Sequence, residues 1–305
     1  MSFFEYFYPD VSFNRTETMV CCPFPHKTIN GIDFHESNPS AGINTSKGVF
    51  HCLSCGASHS ETGFIKSILG GTYESASALR QFYRDTEDRD TWRTAIQLPK
   101  DVEEKTKRLG ISAAVIQDLD IRSEDGKSIS FPVFMFGKLI DVRNYRPGET
   151  PKLKARAGSM SGIVYPFDLW YTTKPDRWTW ICAGEKDMSI ARSQGLNAIT
   201  LTGGENALPA FTKHFENRRI AIVYDNDDAG RNGAKALAAF LKPYASDIRV
   251  VTKFHETCTE PGEDLTDYFI KYKQTRESLI KLLNETPTFT EEDAAEERER
   301  ITPTI

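Results

Sequence analysis

Two kinds of residue in this chain are spaced for chemistry, and the first is a cluster of metal-binding types. Cys22-Pro23-Phe24-Pro25-His26 is followed by Phe50-His51-Cys52-Leu53-Ser54-Cys55-Gly56. Two close-set ligands, an intervening hairpin and a Cys-x-x-Cys knuckle closed by glycine form the layout of a zinc ribbon. A two-residue spacer lets both thiolates face one tetrahedral ion about 2.3 Å away, and the glycine permits the tight turn. Cys22, Cys52 and Cys55 are ligands on this reading. His26 is the choice for the fourth, with His35 and Cys21 as competitors. His51, next to Cys52, would point away along the strand, and His59 reads as a surface hydrogen-bonding group. Cys182 and Cys258 stand alone and read as core or loop thiols.

The second kind is carboxylate. Ala183-Gly184-Glu185-Lys186-Asp187 follows the apolar run Trp178 to Cys182, and Tyr224-Asp225-Asn226-Asp227-Asp228-Ala229-Gly230 follows Arg219 to Val223. Glu263-Asp264-Leu265-Thr266-Asp267-Tyr268 comes after the run Ile248 to Thr252. Catalytic groups of open parallel sheets collect at the carboxyl ends of strands, which is where these motifs fall. Alternate residues of an extended segment face one way, so the carboxylates of Asp225 and Asp227 can converge on hard Mg²⁺ or Mn²⁺ ions. Two such ions can align an attacking hydroxyl and a pyrophosphate leaving group. Asp228, ahead of Ala229-Gly230, reads as a helix N-cap. Arg143, Arg146, Lys152, Lys154 and Arg156 form a short basic strip suited to phosphate, and Lys186 either contacts phosphate or balances Glu185 and Asp187.

The elements that must position these groups divide the chain by pattern. Residues 1–83 hold the Cys/His cluster and an amphipathic stretch, Glu61 to Tyr83, interrupted at Gly70-Gly71. Residues 84–100 are polar and charged without periodicity and read as a linker. Strand-length apolar runs then recur at Ser130–Phe134, Leu139–Val142, Trp178–Cys182, Ala198–Leu201, Arg219–Tyr224 and Ile248–Thr252. Helical patterns between the last four predict an α/β domain with a parallel sheet and flanking helices over 177–285, preceded by a basic subdomain over 101–176. The stretch 286–305 is acidic and reads as a disordered tail or linker.

The ribbon residues, with Asn38-Pro39-Ser40 between their two halves, resemble the CHC2-type zinc ribbon of bacterial and phage primases. Here three residues, not two, separate the first Cys from His, and extra residues precede the Pro-Ser. Gly184-x-x-Asp187, Asp225-x-Asp227-x-Ala229-Gly230 and Asp264-Leu-Thr-Asp-Tyr268 are similar, in order and spacing, to the core of the Toprim domain. Phe131-Pro132-Val133-Phe134, then Val142-Arg143-Asn144-Tyr145-Arg146 and Lys152, resemble the first half of the primase catalytic core. The resemblance runs from about residue 20 to residue 280.

It implies a DNA primase that makes short RNA primers on single-stranded DNA by metal-dependent nucleotidyl transfer during replication. It further implies a structural Zn²⁺ and catalytic Mg²⁺ or Mn²⁺. Glu185, Asp187, Asp225 and Asp227 would be catalytic, with Glu185, Asp225, Asp227 and Asp267 as magnesium ligands. Arg143, Arg146, Lys152 and Lys186 would bind template or ribonucleoside triphosphates. The family has Glu just before the Gly of the first Toprim motif, where this chain has Ala183. Glu185, two residues on, lies on the same side if the strand continues, and could supply that carboxylate. Alternatives are a Toprim nuclease or a non-catalytic module that binds single-stranded DNA.

Composition sets the outer limits. With 305 residues and 39% apolar content, the chain can bury the core of two ordinary domains. A net charge of −5 excludes a uniformly basic nucleic-acid binder, so any such surface is a local patch. No segment has the pattern of a signal peptide or a membrane span, which predicts the cytoplasm of a bacterium or phage-infected cell and no membrane partner. No Gly-x-x-x-x-Gly-Lys-Ser/Thr phosphate loop occurs, so a replicative helicase would act in trans or follow in a longer chain.

Overall fold

The computed structural model describes residues 2–14, 16–27, 33–85 and 87–301. The chain forms two compact units, residues 1–86 with 136–138, and residues 87–135 with 139–305. Among the described residues no helix is long and apolar enough to cross a membrane.

In the first unit, β1 (Thr18–Val20), β4 (Ala41–Asn44), β5 (Val49–Cys52) and β6 (Ser58–Ser60) form an antiparallel sheet in that order, while β2 (His26–Lys27) and β3 (Asp33–Phe34) make a separate hairpin. Three helices accompany them, α1 (Phe3–Phe7), α2 (Glu61–Leu69) and α3 (Tyr73–Asp85). The Ser60 hydroxyl caps α2 by accepting the Gly63 N–H at 3.2 Å, and Gly70, at φ +74°, ends it. The core is aromatic. Phe64 is fully buried, with the rings of Phe4 and Phe50 centred 5.1 and 5.0 Å away. Buried Glu61 accepts the Phe3 N–H at 2.6 Å and pairs with Arg80 at 2.7 Å, so its charge is answered twice.

The second unit begins where a linker was expected, and the expectation is wrong for most of that stretch. Arg89–Ala95 is a helix, α4, capped by the Asp88 carboxylate accepting the Thr91 N–H at 2.8 Å. Trp92 anchors it, fully buried against Phe134, Leu139 and Val142. Its indole N–H donates to the Asp120 carbonyl at 3.0 Å, while Arg93 pairs with the Asp120 carboxylate at 2.6 Å. A single large side chain, its indole hydrogen bond and the Arg93–Asp120 ion pair hold a segment whose composition is otherwise polar. Thr86, within the expected linker, lies outside the described residues. Helices α5 (Lys100–Arg108) and α6 (Ala113–Asp118) follow, then a three-stranded sheet β7 (Ile129–Met135), β8 (Lys138–Tyr145) and β9 (Leu153–Ala155).

The rest is a five-stranded sheet, β10 (Val164–Tyr165), β12 (Ala198–Leu201), β11 (Trp178–Cys182), β13 (Arg219–Val223) and β14 (Asp247–Val250) in spatial order. The last four are parallel, and β10 is an antiparallel edge. Helix α7 (Phe167–Tyr171) precedes β11, α8 (Glu185–Ser193) connects β11 to β12, and α9 (Asp228–Leu241) connects β13 to β14. Strand order therefore reverses about β11, which puts a switch point between β11 and β13. Those strands are in register, Cys182 beside Val223, so both acidic turns leave the sheet side by side. Cys182 and Cys258 are buried, as expected of core thiols.

Helix α10 (Arg276–Glu285) follows a π-helical turn at Asp267–Lys271. The acidic stretch beyond it is folded, not disordered, as far as it is described. The Phe289 N–H donates to the Ile248 carbonyl at 2.7 Å, and α11 (Glu291–Ile301) packs on α9 with Ala294 fully buried. Small residues let the helices meet without a broad apolar stripe. Residues 302–305 lie outside the described part.

Candidate active site and metal centres

The four thiol and imidazole donors expected for zinc come together. Ligand atoms of Cys22, His26, Cys52 and Cys55 all lie within 4.8 Å of one another. The Sγ atoms of Cys22 and Cys55 are 3.8 Å apart, and Cys52 Sγ is 3.6 Å from His26 Nε2. A tetrahedral ion with Zn–S of 2.3 Å and Zn–N of 2.0–2.1 Å requires edges of about 3.8 Å between sulfurs and about 3.6 Å from sulfur to nitrogen. The donor set fits zinc. The competitors are not part of it: His35 is exposed, and Cys21 offers its carbonyl to the Tyr8 hydroxyl at 3.0 Å.

Groups around the donors orient them. His26 Nδ1 lies 2.8 Å from Glu36 Oε1, which fixes Nε2 as the atom facing the thiols. Burial works against a Cys52 thiolate, yet the Cys55 N–H, the Ser40 hydroxyl and the Ser54 N–H bring it down to about 7. Gly56, at φ +73°, closes the knuckle.

The carboxylates meet in a cavity of about 430 Å³ whose walls include Tyr145, Lys152, Gly184, Asp187, Glu205, Asp225 and Asp264. Strand β11 stops at Cys182, and Gly184 is the N-cap of α8. Glu185 is therefore the first helical residue and not the next member of an extended strand, contrary to the premise that would align it with position 183. Its Oε1 accepts from Arg143 Nε at 2.9 Å, and both side chains are buried. Asp187, two residues on, accepts the Thr266 N–H at 3.2 Å and the Thr266 hydroxyl. Lys186 bridges Asp264 at 2.6 Å and Asp187 at 3.6 Å.

After β13, Asp225 stands at the switch point. Asp227 is the N-cap of α9, its Oδ1 accepting the Gly230 N–H at 2.7 Å. The cap expected at Asp228 is thus one residue earlier, and Asp228 is exposed and paired with Arg231 at 2.9 Å. Gly230 is required here, because a Cβ would lie 2.4 Å from the Asp225 carbonyl oxygen. Asn226 staples the third motif's loop, its N–H donating to the Glu263 carbonyl at 2.9 Å and its side-chain amide to the Cys258 carbonyl at 2.6 Å. Asp264 and Asp267 each donate the backbone N–H to the other's carboxylate, at 3.2 and 3.0 Å. Asp264 lines the cavity, while Asp267, the residue expected to bind magnesium, is not in its wall.

Crowding shows in the proton affinities. Burial, then Asp187, Asp264 and Glu205, push Asp225 up to about 8 against the pull of Lys186. Burial and Asp264 push Asp187 up to about 6. An oxygen-only donor set that resists ionisation fits a hard divalent cation, which would relieve the repulsion.

The basic strip is largely answered by acids of its own unit. Arg143 serves Glu185, Arg146 pairs with Asp125 at 2.5 Å, Lys154 with Glu149 at 3.4 Å, and Arg156 with Glu124 at 2.5 Å. Lys152 is exposed at the cavity wall. Sequence reasoning overlooked Glu205 and Asp264. Asp264 sits inside a motif already quoted, and spacing alone does not say which of two acids three apart turns inward. Glu205 follows Gly203-Gly204 after β12, another strand end, and that position was its only signal.

No protein-family model and no curated protein sequence matches the chain. Among solved structures, the zinc-binding and RNA polymerase domains of the Aquifex aeolicus primase share its fold. The TM-score is 0.52 at 19% identity, over 91% of this chain and 81% of that one. The primase fragment of the bacteriophage T7 primase-helicase protein aligns at a TM-score of 0.42 and 15% identity, over 86% of this chain and 98% of its own.

Proposed function

We propose that the chain is a DNA primase, a metal-dependent nucleotidyltransferase that makes short RNA primers on single-stranded DNA. The observation that carries this reading is the acid-lined cavity at the switch point, formed by Asp187, Asp225 and Asp264 with Lys186 among them. The zinc-fitting cluster on the same chain and the shared fold support it.

In the reaction, the 3′-hydroxyl of one ribonucleotide attacks the α-phosphorus of the next, and pyrophosphate leaves. Mg²⁺ or Mn²⁺, when bound, neutralises triphosphate charge and makes the hydroxyl a better nucleophile. Asp225 and Asp187 would hold the cation directly or through water, with Asp227 beside them at the cap of α9. Lys186 would meet the departing phosphates, and Lys152 the triphosphate or template backbone. Positioning and charge neutralisation supply most of the catalysis in such a transfer. Glu185, in the cavity wall, would act as a positioning residue through its buried pair with Arg143. The ribbon would meet template, and a helicase would act in trans or in a longer chain.

The test is incubation of the purified chain with single-stranded DNA, labelled ribonucleotides and Mg²⁺. Short RNA products are expected, and they should fall at least about 100-fold in Asp225→Asn. DNA cleavage without synthesis would mean a nuclease. A mobility shift with neither product would mean a binding module, the reading that Ala183 favours.

A further inference from the structure

We infer that Glu205 is a carboxylate ligand of the catalytic cation, delivered to the site by the turn after β12. This rests on the metal-dependent reading of the cavity and deepens it. Ala183 has no side-chain oxygen to offer, and Oε1 of Glu185, which also lines the cavity, is held by Arg143 at 2.9 Å. The cavity nevertheless has a further acid in its wall, after the strand next to β11. Glu205 lines it together with Gly203, Gly204 and Asn206.

Three observations set this residue apart from an ordinary surface acid. Its Oε2 atom is shut off from solvent and has no hydrogen-bond partner, a state that costs free energy unless a ligand answers it. Its charge is felt at Asp225, and it feels that of Asp227, so it stands within Coulombic reach of both members of the Asp-x-Asp pair. Its backbone is also held in place. Gly203 and Gly204 turn at φ +101° and +75°, and a short 3₁₀ turn, Gly204–Asn206, follows.

That turn sits directly on α9. A Cβ at Gly233 would come 2.3 Å from the Glu205 carbonyl oxygen, so only glycine at 233 permits the approach. Helix α9 thus carries Asp227 at its cap and seats Glu205 on its side, one turn and a half further along. Such a support is expected of a ligand that must keep its distance from a second ligand, and a solvent-facing acid does not need it.

The experiment measures Mn²⁺ binding to the full chain by electron paramagnetic resonance and calorimetry, with no nucleotide present. Wild type, Asp225→Asn, Glu205→Gln and Gly233→Ala are compared. Glu205→Gln should raise the Mn²⁺ Kd at least about 10-fold, and Gly233→Ala should weaken binding with every carboxylate still present. Metal-free melting is the check on folding. Removing one charge from a repelling set should leave the melting temperature of Glu205→Gln at or above wild type at pH 8, so a weakened site in a stable protein supports the inference. Unchanged Mn²⁺ affinity in Glu205→Gln, with binding lost in Asp225→Asn, overturns it and leaves the metal site standing. Absence of Mn²⁺ binding in wild type overturns the metal reading itself.

Discussion

At the scale of single residues, the carboxylate cluster is poised between protons and a cation. Burial and neighbouring carboxylates, Asp264 for both and Asp187 and Glu205 for Asp225, raise the proton affinities of Asp225 and Asp187 to about 8 and about 6. For a carboxylate, a raised folded value means the folded state holds more protons than the unfolded one. Stability therefore falls as pH rises from the unfolded value of about 3.9 to about 8. Melting of the metal-free protein should drop across that window, and millimolar Mg²⁺ should flatten the slope. A flat metal-free profile would mean the cluster is not crowded in solution. In the zinc cluster, Glu36 makes the corresponding second contact behind His26. Glu36→Gln should release zinc to a chelator with affinity lowered about 10–100-fold, read with a colorimetric zinc indicator.

At the scale of elements, the strands and their acidic turns were legible because each apolar run is bounded by Gly, Asp or Asn. Trp178–Cys182 and Ala198–Leu201 are strands with the limits expected from sequence. What was not legible shares one cause: elements stabilised by a single anchor or by small residues carry no periodic apolar signal. Trp92 holds α4 and Ala294 docks α11, each surrounded by charge that composition reads as solvated. Trp92→Ala should accordingly destabilise its unit by about 3–5 kcal/mol in urea unfolding, a loss no linker residue would cause. In the site, the residue types were readable, and their orientation was not. Whether Asp264 or Asp267 turns inward depends on the reciprocal N–H to carboxylate bonds between them. Whether Glu185 extends a strand or opens a helix depends on β11 stopping at Cys182 and Gly184 capping α8.

At the scale of the whole molecule, the two units rest on different physics. The five-stranded sheet is buried through most of its strands and has a conventional aliphatic core, whereas the first unit relies on a handful of aromatic rings and the zinc-fitting cluster. A small core of this kind depends on its metal. Chelation should remove amide hydrogen-exchange protection from Thr18–Ser60 and leave β11 to β14 protected. Simultaneous loss in both units would show that they unfold as one. Sequence had marked the division near residue 83, because the Cys/His cluster and the βα alternation are different languages of stabilisation. It had not marked that residues 136–138 group with the first unit.

The ion pair between Arg143 and Glu185 has a mechanical meaning beyond its charges. It joins β8, from the three-stranded sheet, to the first residue of α8, from the five-stranded one. The three-stranded sheet, with Lys152 leading into β9, and the acids that would hold the cation are then the two arms of a caliper, and this buried pair is its rivet. Glu185→Gln would leave every reactive oxygen at Asp187 and Asp225 where it is while loosening the gap between the arms. The expected symptom is imprecision, with the incoming nucleotide seated at variable depth, and not silence.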